Sequence, residues 1–227
     1  MISVDNDTLA QYLKAFAPFT YSGTKRHSSL TEALKACRQA TKRDPITGIH
    51  NTKLSCGYEG NWLGCIGYFT VLDQMGSCFR PKGTAPIKKT ENRIEYAIRN
   101  FAYALIENDN GKLQAIKSLR NAFTHDFNLL NIPKSDSKTA LEQHRFTVTI
   151  DTSNPLWIVK LPETRWDGNI EFKNFSSTND VTTINLFGIA ELTETVYKSI
   201  CKLCDDDKIE TDISIKSLIN KYSFITD

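Results

Sequence analysis

Between Asn61 and Phe79 the chain sets Trp62, Leu63, Cys65, Ile66, Tyr68, Phe69, Val71, Leu72 and Met75 in a run that leaves almost no polar face. A helix that is apolar all round must be enclosed by other elements, so this segment predicts the central helix of a bundle. Its longest largely apolar stretch, Trp62 to Leu72, falls well short of the roughly 18 residues that a membrane span requires. Gly57, Gly60, Gly64 and Gly67 recur along it at spacings of three and four. No Lys-Ser/Thr pair follows them and no strand precedes them, which argues against a phosphate loop or a dinucleotide fingerprint. Small residues at helical spacing instead let a neighbouring backbone approach the central helix closely.

The elements expected to enclose that helix are amphipathic. Thr8 to Phe16 reads as a short helix, and Ser29 to Thr41 as another, with Ser29 and Glu32 as a capping box. Lys42 to Tyr58 reads as loop, and Arg80-Pro81-Lys82-Gly83 ends the central helix. Glu91 to Ile106 carries Ile94, Ala97, Ile98, Phe101, Ala102 and Leu105 on one face. After a turn at Glu107 to Gly111, a further helix is expected from Lys112 to Ile132, antiparallel to the preceding one and stopped by Pro133. From His144 the period changes to two: Phe146, Val148 and Ile150 alternate with polar residues. Asn154-Pro155 and Asp167-Gly168 are turns, Leu156 to Leu161 a strand, and Ile170, Phe172 and Phe175 a further edge. Ile184 to Leu203 and Ile213 to Phe224 return to helix. The expected fold is therefore mainly α, a helical bundle with a small antiparallel β excursion at about 144–175 before the C-terminal helices, in one domain spanning 1–227.

Composition sets limits and little more. A chain that is 40% hydrophobic and 24% charged is ordinary for a globular protein, and a net charge of +2 neither demands nor excludes nucleic acid, a non-specific RNA binder being usually more basic. Any RNA site must depend on local charge. Met1 to Leu13 carries Asp5 and Asp7 and has no apolar core, so no signal peptide is expected. Six scattered cysteines without an export signal favour reduced thiols and a cytoplasmic location. Cys201-Lys202-Leu203-Cys204 is a lone CxxC with no second ligand pair to complete a zinc site, and it follows no strand, unlike a redox pair. His27, His50 and His144 fall in loops or at strand edges without metal spacing. Asp205-Asp206-Asp207 reads as a helix stop, and no Gly-x-Ser-x-Gly elbow is present. Neither metal nor cofactor is expected.

One stretch has chemistry beyond packing: Arg120-Asn121-Ala122-Phe123-Thr124-His125. On the expected helix Asn121 and His125 share a face, while Arg120 and His125 are about 140° apart around the axis with a rise of roughly 7.5 Å. Arginine forks onto phosphate, a carboxamide orients it, and histidine titrates near neutral pH, which together suffice for metal-free RNA cleavage. Lys112 and Lys117 on the same helix, with Lys134 and Lys138 after it, make a modest basic patch nearby.

These residues resemble the signature of the HEPN superfamily, an Arg followed by Asn, Asp or His and then, a few residues on, a His, late in an α-helical domain. Leu119 before the Arg, small Ala122 after the Asn, and the following turn Asp126 to Leu130 agree with it. The resemblance implies a metal-independent endoribonuclease acting as a toxin or phage-defence effector. In that role Arg120, Asn121 and His125 are catalytic, and Lys117 and Thr124 contact substrate. It also implies an RNA substrate, a homodimer with a composite site, and an antitoxin or regulatory protein as partner. The β excursion departs from a plain HEPN bundle. The alternative is a non-catalytic binding module for a nucleotide, nucleic acid or protein, distinguished by whether Arg120 and His125 line an open cleft.

Overall fold

The computed structural model describes residues 4–51, 58–123, 128–132, 143–168 and 179–225. Among these the order is α1 (Val4–Lys14), β1 (Phe19–Tyr21), β2 (Thr24–Ser28), α2 (Ser29–Ala40), α3 (Tyr58–Cys78), β3 (Phe79–Pro81), α4 (Arg93–Phe101), α5 (Asn110–Asn121), β4 (Leu130–Asn131), β5 (His144–Thr149), β6 (Val159–Lys160), β7 (Val181–Asn185), α6 (Leu186–Asp205), β8 (Ile209–Thr211), α7 (Ile215–Tyr222) and β9 (Ser223–Phe224). The chain is thus helix-rich with small sheets. It groups into two compact units, residues 1–102 with 193–227 and residues 103–192.

In the first unit α3 is the central element, packed between α2 and α4. Cys65, Tyr68, Phe69, Val71, Leu72, Met75 and Cys78 are buried, as a helix without a polar face requires, whereas Leu63 is 66% exposed. Close approach falls where the glycines are. A Cβ on Gly64 would stand 2.4 Å from Thr41 Cγ2, one on Gly67 2.4 Å from Cys37 Sγ, and one on Gly76 1.9 Å from the Arg93 carbonyl oxygen. Three side chains therefore have to be absent for α2 and α4 to reach α3. Gly57 lies outside the described residues.

Several boundaries differ from the sequence reading. The N-cap of α2 is Ser28, whose Oγ accepts the Thr31 amide; Ser29 instead donates its hydroxyl to the Tyr222 carbonyl at 2.7 Å. Short strands that no periodicity announces are present: β1 and β2 form a hairpin that β9 joins from the far end of the chain, and β3 pairs with the distant β8. Glu91 to Ile106 divides into α4, capped by Asn92 Oδ1, and a 3₁₀ turn at Tyr103–Ile106.

A buried charge pair ties the first unit together. Arg38 and Glu194 each have side chains 1% exposed and meet as a fork, with Nε donating to Oε1 and Nη2 to Oε2, both at 2.8 Å. Arg38 Nη1 donates to the carbonyls of Pro45 and Ile46 at 3.0 and 2.7 Å, and the Tyr68 hydroxyl donates to Glu194 Oε1 at 3.2 Å. Gly48, at φ +72°, passes so close that a Cβ there would stand 2.7 Å from Glu194 Oε2. Helix α2, helix α6 and the loop after α2 are joined at this one point.

The second unit packs α5 on a four-stranded sheet of order β4-β5-β7-β6. Its pairings are antiparallel at β4–β5 and β6–β7 and parallel at β5–β7, where Phe146 faces Thr182 and Val148 faces Ile184. The strand expected at Leu156 to Leu161 is confined to Val159–Lys160, and Ile184, expected in a helix, lies in β7. Asn185 explains that boundary. Its buried carboxamide donates to the Asp151 and Trp157 carbonyls at 2.8 and 2.9 Å and accepts the Asp151 amide at 3.0 Å, fixing the chain before α6 begins. Ile170, Phe172 and Phe175 lie outside the described residues.

Candidate functional site

Helix α5 carries the Arg-Asn motif and begins two residues before the position periodicity suggests. Glu107 and Asn108 turn the chain with φ of +58° and +56°, and Asp109 caps the helix, accepting the Gly111 and Lys112 amides at 2.6 and 3.2 Å. Leu113, Ala115, Ile116, Ser118 and Leu119 form its buried face, continued by Ala122 and Phe123. Lys117, Arg120 and Asn121 are half-buried at its margin.

The α-helix runs to Asn121 and continues as a π turn at Ala122 and Phe123, and the helix expected as far as Ile132 has given way to a strand by Leu130. Leu130 and Asn131 are instead β4, paired with Arg145 and His144. The Asn128 amide donates to the Ala122 carbonyl at 3.3 Å, and the Phe146 amide to the Leu129 carbonyl at 2.7 Å. Hydrogen bonding to the sheet explains why the apolar run Leu129, Leu130, Ile132 does not extend the helix.

Arg120 stands in the last turn of α5, where the partial negative charge of the helix C-terminus favours a cation. Its Nη1 donates to the neighbouring Asn121 Oδ1 at 3.3 Å, so the two motif residues are held as a pair. Lys112 Nζ meets Glu107 Oε1 at 2.6 Å and Lys117 Nζ meets Gln114 Oε1 at 3.5 Å, so both lysines are already engaged. Thr124, His125, Lys134 and Lys138 lie outside the described residues.

A second cluster in this unit is not evident from the sequence. His144, expected in a loop or at a strand edge, has a buried ring that stacks on Phe146 at 5.2 Å and places Nδ1 2.9 Å from Thr182 Oγ1. The neighbouring Arg145 points to the other face of β5 and pairs with Asp180 Oδ1 at 3.5 Å. The strand period held the signal for both, since His144 and Phe146 share a face and Arg145 takes the opposite one. Thr182 belongs to a strand that periodicity does not announce, and Asp180 to the turn just before it.

The remaining candidates are structural. The five described cysteines are unpaired. Burial pushes the Cys37 and Cys78 thiols up to about 12 and that of Cys201 up to about 11, far from a reactive thiolate. His27 stacks on Phe224 at 5.4 Å and reaches Glu32 Oε1 at 3.3 Å. Among the described residues no group of three His, Cys, Asp or Glu side chains is placed to hold a metal ion, and no helix is long and apolar enough to cross a membrane. No protein-family model, no curated protein and no solved structure matches the chain.

Proposed function

We propose that this chain is a metal-independent endoribonuclease of the HEPN type. The observation that carries the reading is the Arg120–Asn121 pair at the end of α5, half-buried and joined by a hydrogen bond from Nη1 to Oδ1 at 3.3 Å. It is followed in sequence by His125. A guanidinium in that place has both uses the reaction needs. It offsets the negative end of the helix, which would otherwise repel a phosphate, and it offers a planar fork to the phosphate oxygens.

In the proposed reaction a 2′-hydroxyl of the RNA attacks the adjacent phosphorus. The O2′–P bond forms, the P–O5′ bond breaks, one histidine takes the 2′ proton and a second gives a proton to the departing 5′ oxygen. Arg120 stabilises the charge that grows on the non-bridging oxygens, and Asn121 fixes the guanidinium. One chain supplies a single His125, so the two proton transfers call for a homodimer whose motif helices meet near the two-fold axis. The biological role that accompanies this reading is a toxin or defence effector held in check by a partner protein.

End-group analysis tests the chemistry. Cleavage of single-stranded RNA is expected to leave 2′,3′-cyclic phosphate and 5′-hydroxyl ends, and a single 2′-deoxy substitution at the cleaved position is expected to block it. Products with 5′-phosphate ends, or cleavage of the deoxy substrate, would rule the mechanism out. RNA left intact by a folded dimer would favour the binding-module reading.

A further inference from the structure

In the second unit, beside the start of α5, lies a cavity of about 110 Å³. Leu161, Pro162 and the indole of Trp166, itself 5% exposed, supply its apolar wall. The polar wall is His144, Thr182 and Asp180, joined by the Gln143 carboxamide and the exposed Arg165. The imidazole is fixed, packed on Phe146 and bonded to Thr182. Asp180 spends Oδ1 on Arg145, and among the described residues nothing else hydrogen-bonds Asp180, Gln143 or Arg165. This is an apolar slot with a few convergent polar groups, the composition of a small-molecule site.

Size and polarity select the occupant. An enclosed apolar cavity of about 150 Å³ holds one benzene; this cavity is smaller but open to solvent, so it admits at most one ring, seated in its mouth, and excludes a purine. Single-stranded bases are recognised by aromatic contact and by hydrogen bonds to their edges. A carboxylate accepts from the exocyclic amino group of cytosine, whereas uracil presents an oxygen there and is repelled. The Gln143 amide and Arg165 are donors suited to the ring nitrogen and oxygen acceptors of cytosine.

We infer that the cavity bounded by His144, Trp166, Asp180 and Thr182 binds the base of a cytidine nucleotide and serves as a base-selecting subsite for the RNA. The subsite role rests on the ribonuclease reading; the binding of cytidine nucleotide does not. Gly111, which lines the cavity, and Arg120 stand at opposite ends of α5, nine residues or about 13.5 Å apart along the axis. The base that is read therefore lies a few nucleotides from the phosphate that is cleaved.

Calorimetric titration of the 227-residue chain with cytidine 5′-monophosphate and uridine 5′-monophosphate tests this. The cytidine nucleotide should bind roughly tenfold or more tightly, and Asp180→Asn should abolish the preference. Because Asp180 also pairs with Arg145, a second variant, Leu161→Trp, fills the cavity from a position 39% exposed and should abolish binding without touching a polar group. Equal binding of the two nucleotides, no binding of either at millimolar concentration, or unchanged binding in Leu161→Trp would overturn the proposal. RNA cleavage without nucleotide binding removes the pocket and leaves the ribonuclease. Cytidine nucleotide binding without RNA cleavage does the reverse.

Discussion

Arg38 and Glu194 illustrate what one pair of side chains can decide. Taking both charges out of water is costly, and the fork geometry with its added carbonyl and hydroxyl bonds offsets that cost only while both partners are present. Glu194→Ala is therefore expected to lower unfolding stability by about 3–5 kcal/mol, since it leaves a buried guanidinium unpaired. The double variant Arg38→Met/Glu194→Leu should recover most of the loss. Urea unfolding of the three proteins measures both effects, and a double variant as unstable as the single one would contradict this account. Asp44 gives a pH-dependent counterpart in the loop that the same arginine holds. The Thr47 amide, at 2.7 Å, and then the Thr47 hydroxyl, at 2.8 Å, donate to Asp44 Oδ1 and hold its carboxyl below the ordinary carboxylate range. The folded loop thus gives up this charge at lower pH than the unfolded chain does. The stabilisation is complete above the ordinary range and disappears as pH falls through the folded value. The carboxyl NMR resonance of Asp44 should titrate with a midpoint below that of an unstructured aspartate; a midpoint at or above it would show that the turn does not form.

At the scale of elements, the central helix was legible because its constraint is physical: a run with no polar face has one place to go. Its partners were legible from their apolar stripes, and the glycine spacing indicated close packing. Gly76→Ala sharpens that point. Its Cβ would collide with the Arg93 carbonyl oxygen, which belongs to the rigid start of α4, so a loss of about 1–3 kcal/mol from overpacking is expected in thermal or urea unfolding. Wild-type stability in that variant would mean that α3 and α4 do not pack as described. The short strands were not legible. Phe19–Tyr21, Phe79–Pro81 and Ile209–Thr211 have three residues each, too few for a period to appear, and the last two find each other across more than a hundred residues. The end of α5 was misjudged for a related reason. Leu129, Leu130 and Ile132 suit a helix face and a strand equally well, and only pairing with β5 decides between them. Likewise Val181–Asn185 ran into the helical pattern of α6, which hid the parallel strand that carries half of the His144–Thr182 pair.

For the whole molecule, the candidate site divides along the same line. Arg120 and Asn121 could be proposed from sequence because their chemistry is local, one residue after the other. The cluster around His144 was not found, because Gln143, Trp166, Asp180 and Thr182 come together only through the sheet. A composite catalytic site adds a requirement that no single chain meets, namely two copies of His125. The protein is accordingly expected to be a dimer, and light scattering at micromolar concentration should give about twice the monomer mass; a strict monomer that cleaves RNA would refute the composite site. The central claim is that Arg120 and His125 cleave RNA without a metal, and its most direct measurement is single-stranded RNA cleavage in excess EDTA by the wild type, Arg120→Ala and His125→Ala. The account predicts undiminished cleavage by the wild type. Each variant should lose at least about 10²-fold in rate, as removal of a charge-stabilising or proton-transferring group does, with its melting temperature unchanged. Equal cleavage by His125→Ala, or wild-type activity abolished by EDTA and restored by magnesium, would contradict it.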